Sequence, residues 1–114
     1  MSNDEDRRKY FRVRYPNNAT PLLVTGDRTY AVTELSEGGM RVLGMDESVP
    51  IGTPVAGRLE LLSGEHFEVE SQIGRRDEEE CILIHLTGIT FASVMREQQH
   101  IVREFPDFRP KKEG

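Results

Sequence analysis

The stretch "HFEVESQIGRR", residues 66–76, alternates cleanly: Phe67, Val69, Ser71 and Ile73 fall on one side, and Glu68, Glu70 and Gln72 on the other. A period of two belongs to a β-strand with one buried and one wet face, the pattern of an antiparallel sheet. Working outward, "TPVAGRLELL" (53–62) precedes it across "SGE", a hairpin-type turn, and "CILIHLTGITFAS" (81–93) follows it across the charged turn "DEEE" (77–80). The latter run is the most apolar in the chain, and Gly88 within it marks a bulge or a point of close approach.

The strand pattern continues toward the N-terminus. "TPLLVT" (20–25) is a short apolar run closed by "GD"; "TYAVTELS" (29–36) is rich in β-branched and aromatic residues; "GMRVLGM" (39–45) sets Met40 and Val42 against Arg41 and Leu43. Six strands at regular spacing with short turns predict a mainly β fold, a small antiparallel barrel or sandwich. "SVMREQQHIVREF" (93–105) is the exception, with Val94, Ile101 and Phe105 near helical spacing, Ser93 as cap and Pro106 as stop. Gln98 interrupts its apolar stripe, so docking is expected mainly through its later half. Residues 1–6 are expected to be mobile and 106–114 to form a disordered tail, leaving one domain over 7–105.

Composition narrows the function. The 114 residues carry a net charge of -5, yet Arg7, Arg8, Lys9, Arg12 and Arg14 stand together with no acid among them, so the rest of the chain sums to -10. A body that acidic repels DNA and RNA, whose non-specific binding is mostly electrostatic. The basic block therefore suits a small anion better than a polyanion. A single cysteine, Cys81, excludes an internal disulfide, and His66, His85 and His100 have no metal-binding spacing, so neither metal nor cofactor is expected. There is no apolar run of membrane-spanning length and no secretion signal at the start, which makes the cytoplasm the default compartment. No nucleophile–base arrangement or phosphate-cradling loop points to an enzyme. His85, in the most apolar strand, reads as a packed residue; Glu78, Glu79 and Glu80 read as a solvated turn, Cys81 as semi-buried, and Met40, Met45 and Met95 as core or edge packing.

Two stretches carry chemistry. "RRKYFRVRY" (7–15) places Arg8 and Arg12 with three residues between them in an aromatic setting. Guanidinium is a planar fork that grips phosphate oxygens, matches the O6/N7 edge of guanine and stacks on a base. One residue type can so read both ends of a guanine nucleotide. The plain alternative is that the block solvates a terminus or pairs with Asp4, Glu5 and Asp6. In "TELSEGGMRV" (33–42), Ser36 lies two residues after Glu34 and three before Gly39. A carboxylate there can accept from guanine N1–H and N2–H₂, the serine can donate, and the glycine admits a close neighbour; the plain alternative is a β-turn.

Together, the RxxxR of Arg8–Arg12 with Arg7 in front, the ExSxxG of Glu34–Gly39, and "LTGITFASV" leading into a helix resemble the PilZ domain, the bacterial receptor family for cyclic di-GMP. The resemblance spans about residues 6–105 and implies a six-stranded antiparallel β-barrel with a C-terminal helix. It implies that Arg8 and Arg12 grip phosphates and guanine edges from a closing N-terminal strap. Ser36 and Gly39 would line the floor, and Arg7 would add a contact compatible with a stacked ligand pair. Glu34 departs from the family's usual Asp or Asn by a methylene, so a lineage member that has lost the ligand stays open. The implied protein is a stand-alone, monomeric or weakly dimeric receptor that passes its signal to an unidentified protein partner. The alternatives are a PilZ-like adaptor working only through protein contacts, or a nucleic-acid binder using the basic strap.

Overall fold

A computed structural model describes residues 11–109. Arg7, Arg8, the mobile segment expected over 1–6 and the last residues of the expected tail lie outside that range. Among the described residues seven strands and one helix follow in chain order: β1 (Arg12–Arg14), β2 (Leu22–Thr25), β3 (Arg28–Ser36), β4 (Gly39–Leu43), β5 (Pro54–Glu60), β6 (His66–Asp77), β7 (Glu80–Thr87) and α1 (Phe91–Glu104). All pairings are antiparallel. The order β3–β2–β5–β6–β7–β4 closes on itself through β4–β3, giving the six-stranded barrel that the resemblance implies and deciding between the barrel and the sandwich that the alternation allows. Closure removes the sheet edges that an open sheet would expose.

The alternating residues sort as expected. Val69, Ser71 and Ile73 of β6 face inward beside Val32, Leu35, Val42, Leu59 and Leu83, all buried, while Glu68 and Glu70 are exposed. Cys81 is buried rather than half-exposed, Met40 is buried, and Met45 packs against the core.

Several expectations are corrected. β1 is an extra strand pairing with the far end of β3, in a stretch to which the sequence assigns no element. The apolar run 81–93 is not one strand: β7 stops at Thr87, and Gly88 takes φ 104° where a Cβ would run into the Glu68 carbonyl. That sharp exit lets the helix begin at Phe91, capped by Thr90, whose Oγ1 accepts from the Ser93 amide at 3.2 Å, instead of by Ser93. His85 is exposed, with φ 56°, rather than packed, because β6 and β7 shift register beside it.

The helix also docks along more of its length than its apolar spacing implies. Ser93 and Val94 are buried in its first turn, and Glu97 is fully buried at its centre. Glu97 is tolerated there because its carboxylate accepts from the Tyr15 hydroxyl at 2.7 Å and from the amides of Leu62 and Ser63 at 3.2 and 2.9 Å. Burial, the Glu97 charge and this hydrogen bond together push the Tyr15 phenol far above its ordinary pKa. α1 lies against β1 and β3, and beyond it Phe108 packs half-buried on the core.

Candidate functional site

The β3–β4 hairpin turns through Glu37 and Gly38, leaving Ser36 and Gly39 as the last paired residues. The Ser36 hydroxyl donates to the Gly39 carbonyl at 3.2 Å, which braces the turn. Gly39 is required by packing: a Cβ would stand 2.6 Å from the Leu83 carbonyl of β7. β1 comes alongside in antiparallel register, Arg12 opposite Ser36, Val13 opposite Leu35 and Arg14 opposite Glu34. β1 and the serine–glycine turn therefore share one side of the barrel.

Between them opens a cavity of about 220 Å³. Arg12, Glu34, Ser36, Gly39, Arg41 and Arg75 line it, over an apolar base of Met40 and residues 82–84. Three guanidiniums against one carboxylate leave this lining with a net charge of +2. Arg7 and Arg8, the other two arginines expected to contribute, lie outside the described residues.

Glu34 is held by two of the cations. Arg41 Nε lies 3.0 Å from its Oε1, and Arg12 Nε lies 3.9 Å from its Oε2. Arg41 also bonds Glu80 at 3.0 Å and Asp77 at 3.3 Å through Nη1, while the Thr33 hydroxyl donates to Glu80 at 2.6 Å. Burial works against the Arg41 charge, but the hydrogen bonds to Glu80 and Asp77 and the charge of Glu34 outweigh it and lift its pKa above the ordinary arginine value. Glu80 is thus part of a charged network rather than of the solvated turn expected for 78–80. Only Glu78 and Glu79 are exposed there.

Arg41 and Arg75 are cleft residues that the motif spacing does not reveal. Arg41 follows Gly39 by two, on the outward face of β4, a signal visible in the alternation. Arg75 has no such signal: strict alternation after Ile73 would send it inward. The pairing jumps between Ile73 and Arg75, so Gly74 is the extra residue of a β-bulge and Arg75 swings outward into the cleft. Among the described residues the Arg75 side chain makes no hydrogen bond or ion pair. A second irregularity, between Val32 and Glu34 on β3, borders the same cavity and aims Glu34 at Arg41. Among the described residues no group of His, Cys, Asp and Glu side chains could hold a metal ion, and no helix is long and apolar enough to cross a membrane.

Fold and cleft together define a small closed antiparallel barrel domain with an arginine-lined site beside its shortest strand. The PilZ domain family matches residues 6–105, and the chain belongs to that family. PilZ domains are receptor and adaptor domains, not enzymes. Comparison with curated proteins yields no match. Among solved structures, the chain is similar to the Bacillus subtilis inhibitor of motility, MotI/DgrA, with 18% identity and a TM-score of 0.59. That match covers 91% of this chain and 54% of the other, so the chain spans about half the length of that protein. It is also similar to the PilZ domain of YcgR from Escherichia coli, solved with c-di-GMP, with 16% identity and a TM-score of 0.55, covering 86% of this chain and 98% of that one.

Proposed function

We propose that this protein is a cytoplasmic receptor for cyclic di-GMP. Arg12, with Arg7 and Arg8 of the leader, grips phosphates and guanine edges; Glu34, Ser36 and Gly39 form the opposing wall; and the signal leaves through contact with a protein partner. The observation that carries this reading is the pairing of Arg12 with Ser36 across one cavity. A net lining charge of +2 complements a ligand with two phosphates, and Arg75 offers a guanidinium that has no partner to leave among the described residues. The acidic remainder of the chain disfavours nucleic acid, so affinity for random DNA at physiological salt should be negligible. Isothermal titration of the purified chain with cyclic di-GMP tests the reading. Saturable heat is expected, and a flat titration at millimolar ligand would end it.

A second reading, an adaptor that binds no nucleotide, draws on one observation: the Glu34 carboxylate is already occupied by Arg41 at 3.0 Å. A guanine must compete with that pair for its acceptor. The same titration on Glu34→Asp separates the two. Shortening the side chain draws the carboxylate away from Arg41, so a variant that binds when the wild type does not assigns the loss to this pair.

A further inference from the structure

β1 carries Arg12 into the cleft, yet little in its own sequence fixes where it sits. It is three residues long, and on its own such a strand is marginal. Its surroundings read Phe11-Arg12-Val13-Arg14-Tyr15, apolar at every odd position and arginine at both even ones. Sliding this segment by two residues would put Val13 where Tyr15 is, Phe11 where Val13 is, and Arg12 where Arg14 is. Hydrophobic burial and charge alternation are nearly blind to that slip, because every residue keeps its face. The slip would nevertheless carry Arg12 away from Ser36.

One contact is not blind to it. The Tyr15 hydroxyl donates to Glu97 at 2.7 Å, and neither Val13 nor Phe11 could replace it. Glu97 cannot follow a sliding partner, because its carboxylate is also held by the Leu62 and Ser63 amides of the β5–β6 turn. In a slipped register a fully buried carboxylate would lose one of its three donors. Buried polar pairs are best attested as devices of registry.

We propose that Glu97 is a positioning residue for the ligand cleft, acting through the Tyr15 hydroxyl to lock the Arg12 strand opposite Ser36. Its bearing on ligand affinity rests on the cyclic di-GMP reading above; its bearing on strand register does not.

The test uses the full chain and three variants. Tyr15→Phe removes the hydroxyl while keeping the ring. Arg96→Ala cuts the neighbouring tie between α1 and the same turn, the Arg96–Glu65 pair at 2.8 Å, without touching β1. Cyclic di-GMP is titrated calorimetrically, and the amide resonances of residues 12–14 are followed by NMR. Tyr15→Phe is expected to weaken binding about tenfold and to split or broaden those resonances, while Arg96→Ala binds as the wild type does. Wild-type affinity with single unshifted resonances in Tyr15→Phe overturns the proposal. So does an equal loss in Arg96→Ala, which would reduce Glu97 to general helix docking. Should the wild type itself not bind, the receptor reading fails and the resonances alone decide the register claim. If Tyr15→Phe does not fold, Glu97→Asp, which withdraws the acceptor by a methylene, is read against the same outcomes.

Discussion

Replacing Arg12 with Ala should separate binding from stability. The Arg12 side chain is 58% exposed, and its ion pair to Glu34 is long at 3.9 Å. A pair so exposed contributes at most a few tenths of a kcal/mol to folding once solvent screening is counted. Its loss is further cushioned because Glu34 keeps Arg41 at 3.0 Å. The urea midpoint of Arg12→Ala should therefore stay close to that of the wild type. In the proposed complex the same guanidinium would make charged hydrogen bonds to a phosphate or a guanine, each worth about 1.5–3 kcal/mol. The dissociation constant should then rise about ten- to a hundredfold. Paired urea unfolding and calorimetric titration measure both quantities on one preparation. A change of less than about threefold in affinity would remove Arg12 from the site, since a group worth under about 1 kcal/mol is not a ligand-gripping one. A large fall in stability would overturn the assignment from the other side, by showing that Arg12 holds the fold.

Arg41→Ala should behave in the opposite way. It strips Glu34 and Glu80 of a partly buried partner, so unfolding free energy should fall by about 1–2 kcal/mol, measured in urea. Gly39→Ala sets a methyl against the Leu83 carbonyl at 2.6 Å, and a loss of about 2 kcal/mol or more is expected in thermal unfolding. Tyr15 supplies a pH test. Its folded pKa is raised above 10.0, so the unfolded chain releases this proton first. The contribution is intact below pH 10 and erodes as pH rises beyond it, at up to about 1.4 kcal/mol per pH unit. Unfolding midpoints between pH 9 and 11 should fall more steeply in the wild type than in Tyr15→Phe, and parallel curves would contradict the buried bond.

Much of this was legible in the residues themselves. The strict alternation from Phe67 to Ile73 predicts β6, because burial on one face of a pleated strand needs nothing but period two. The turn pairs Ser36 and Gly39 for an equally local reason. Arg12 and the ExSxxG turn could be linked only by resemblance, since nothing in their spacing says they meet. β1 leaves no such mark, because three residues carry too little periodicity. The apolar run around His85 hides the register shift that turns it outward.

Local sequence alone accounts for the mainly β architecture, the C-terminal helix and the contrast between a basic leader and an acidic body. These follow from periodicity and charge, which are properties of neighbours along the chain. Which side chains share the cleft depends on how the strands pair in three dimensions. The bulge at Gly74 sends Arg75 outward, barrel closure brings Arg41 within reach of Glu80, and Glu97 enters the interior because donors from two distant segments satisfy its carboxylate. Each depends on where separate strands stop and pair, and that is set by packing across the barrel rather than by any local preference.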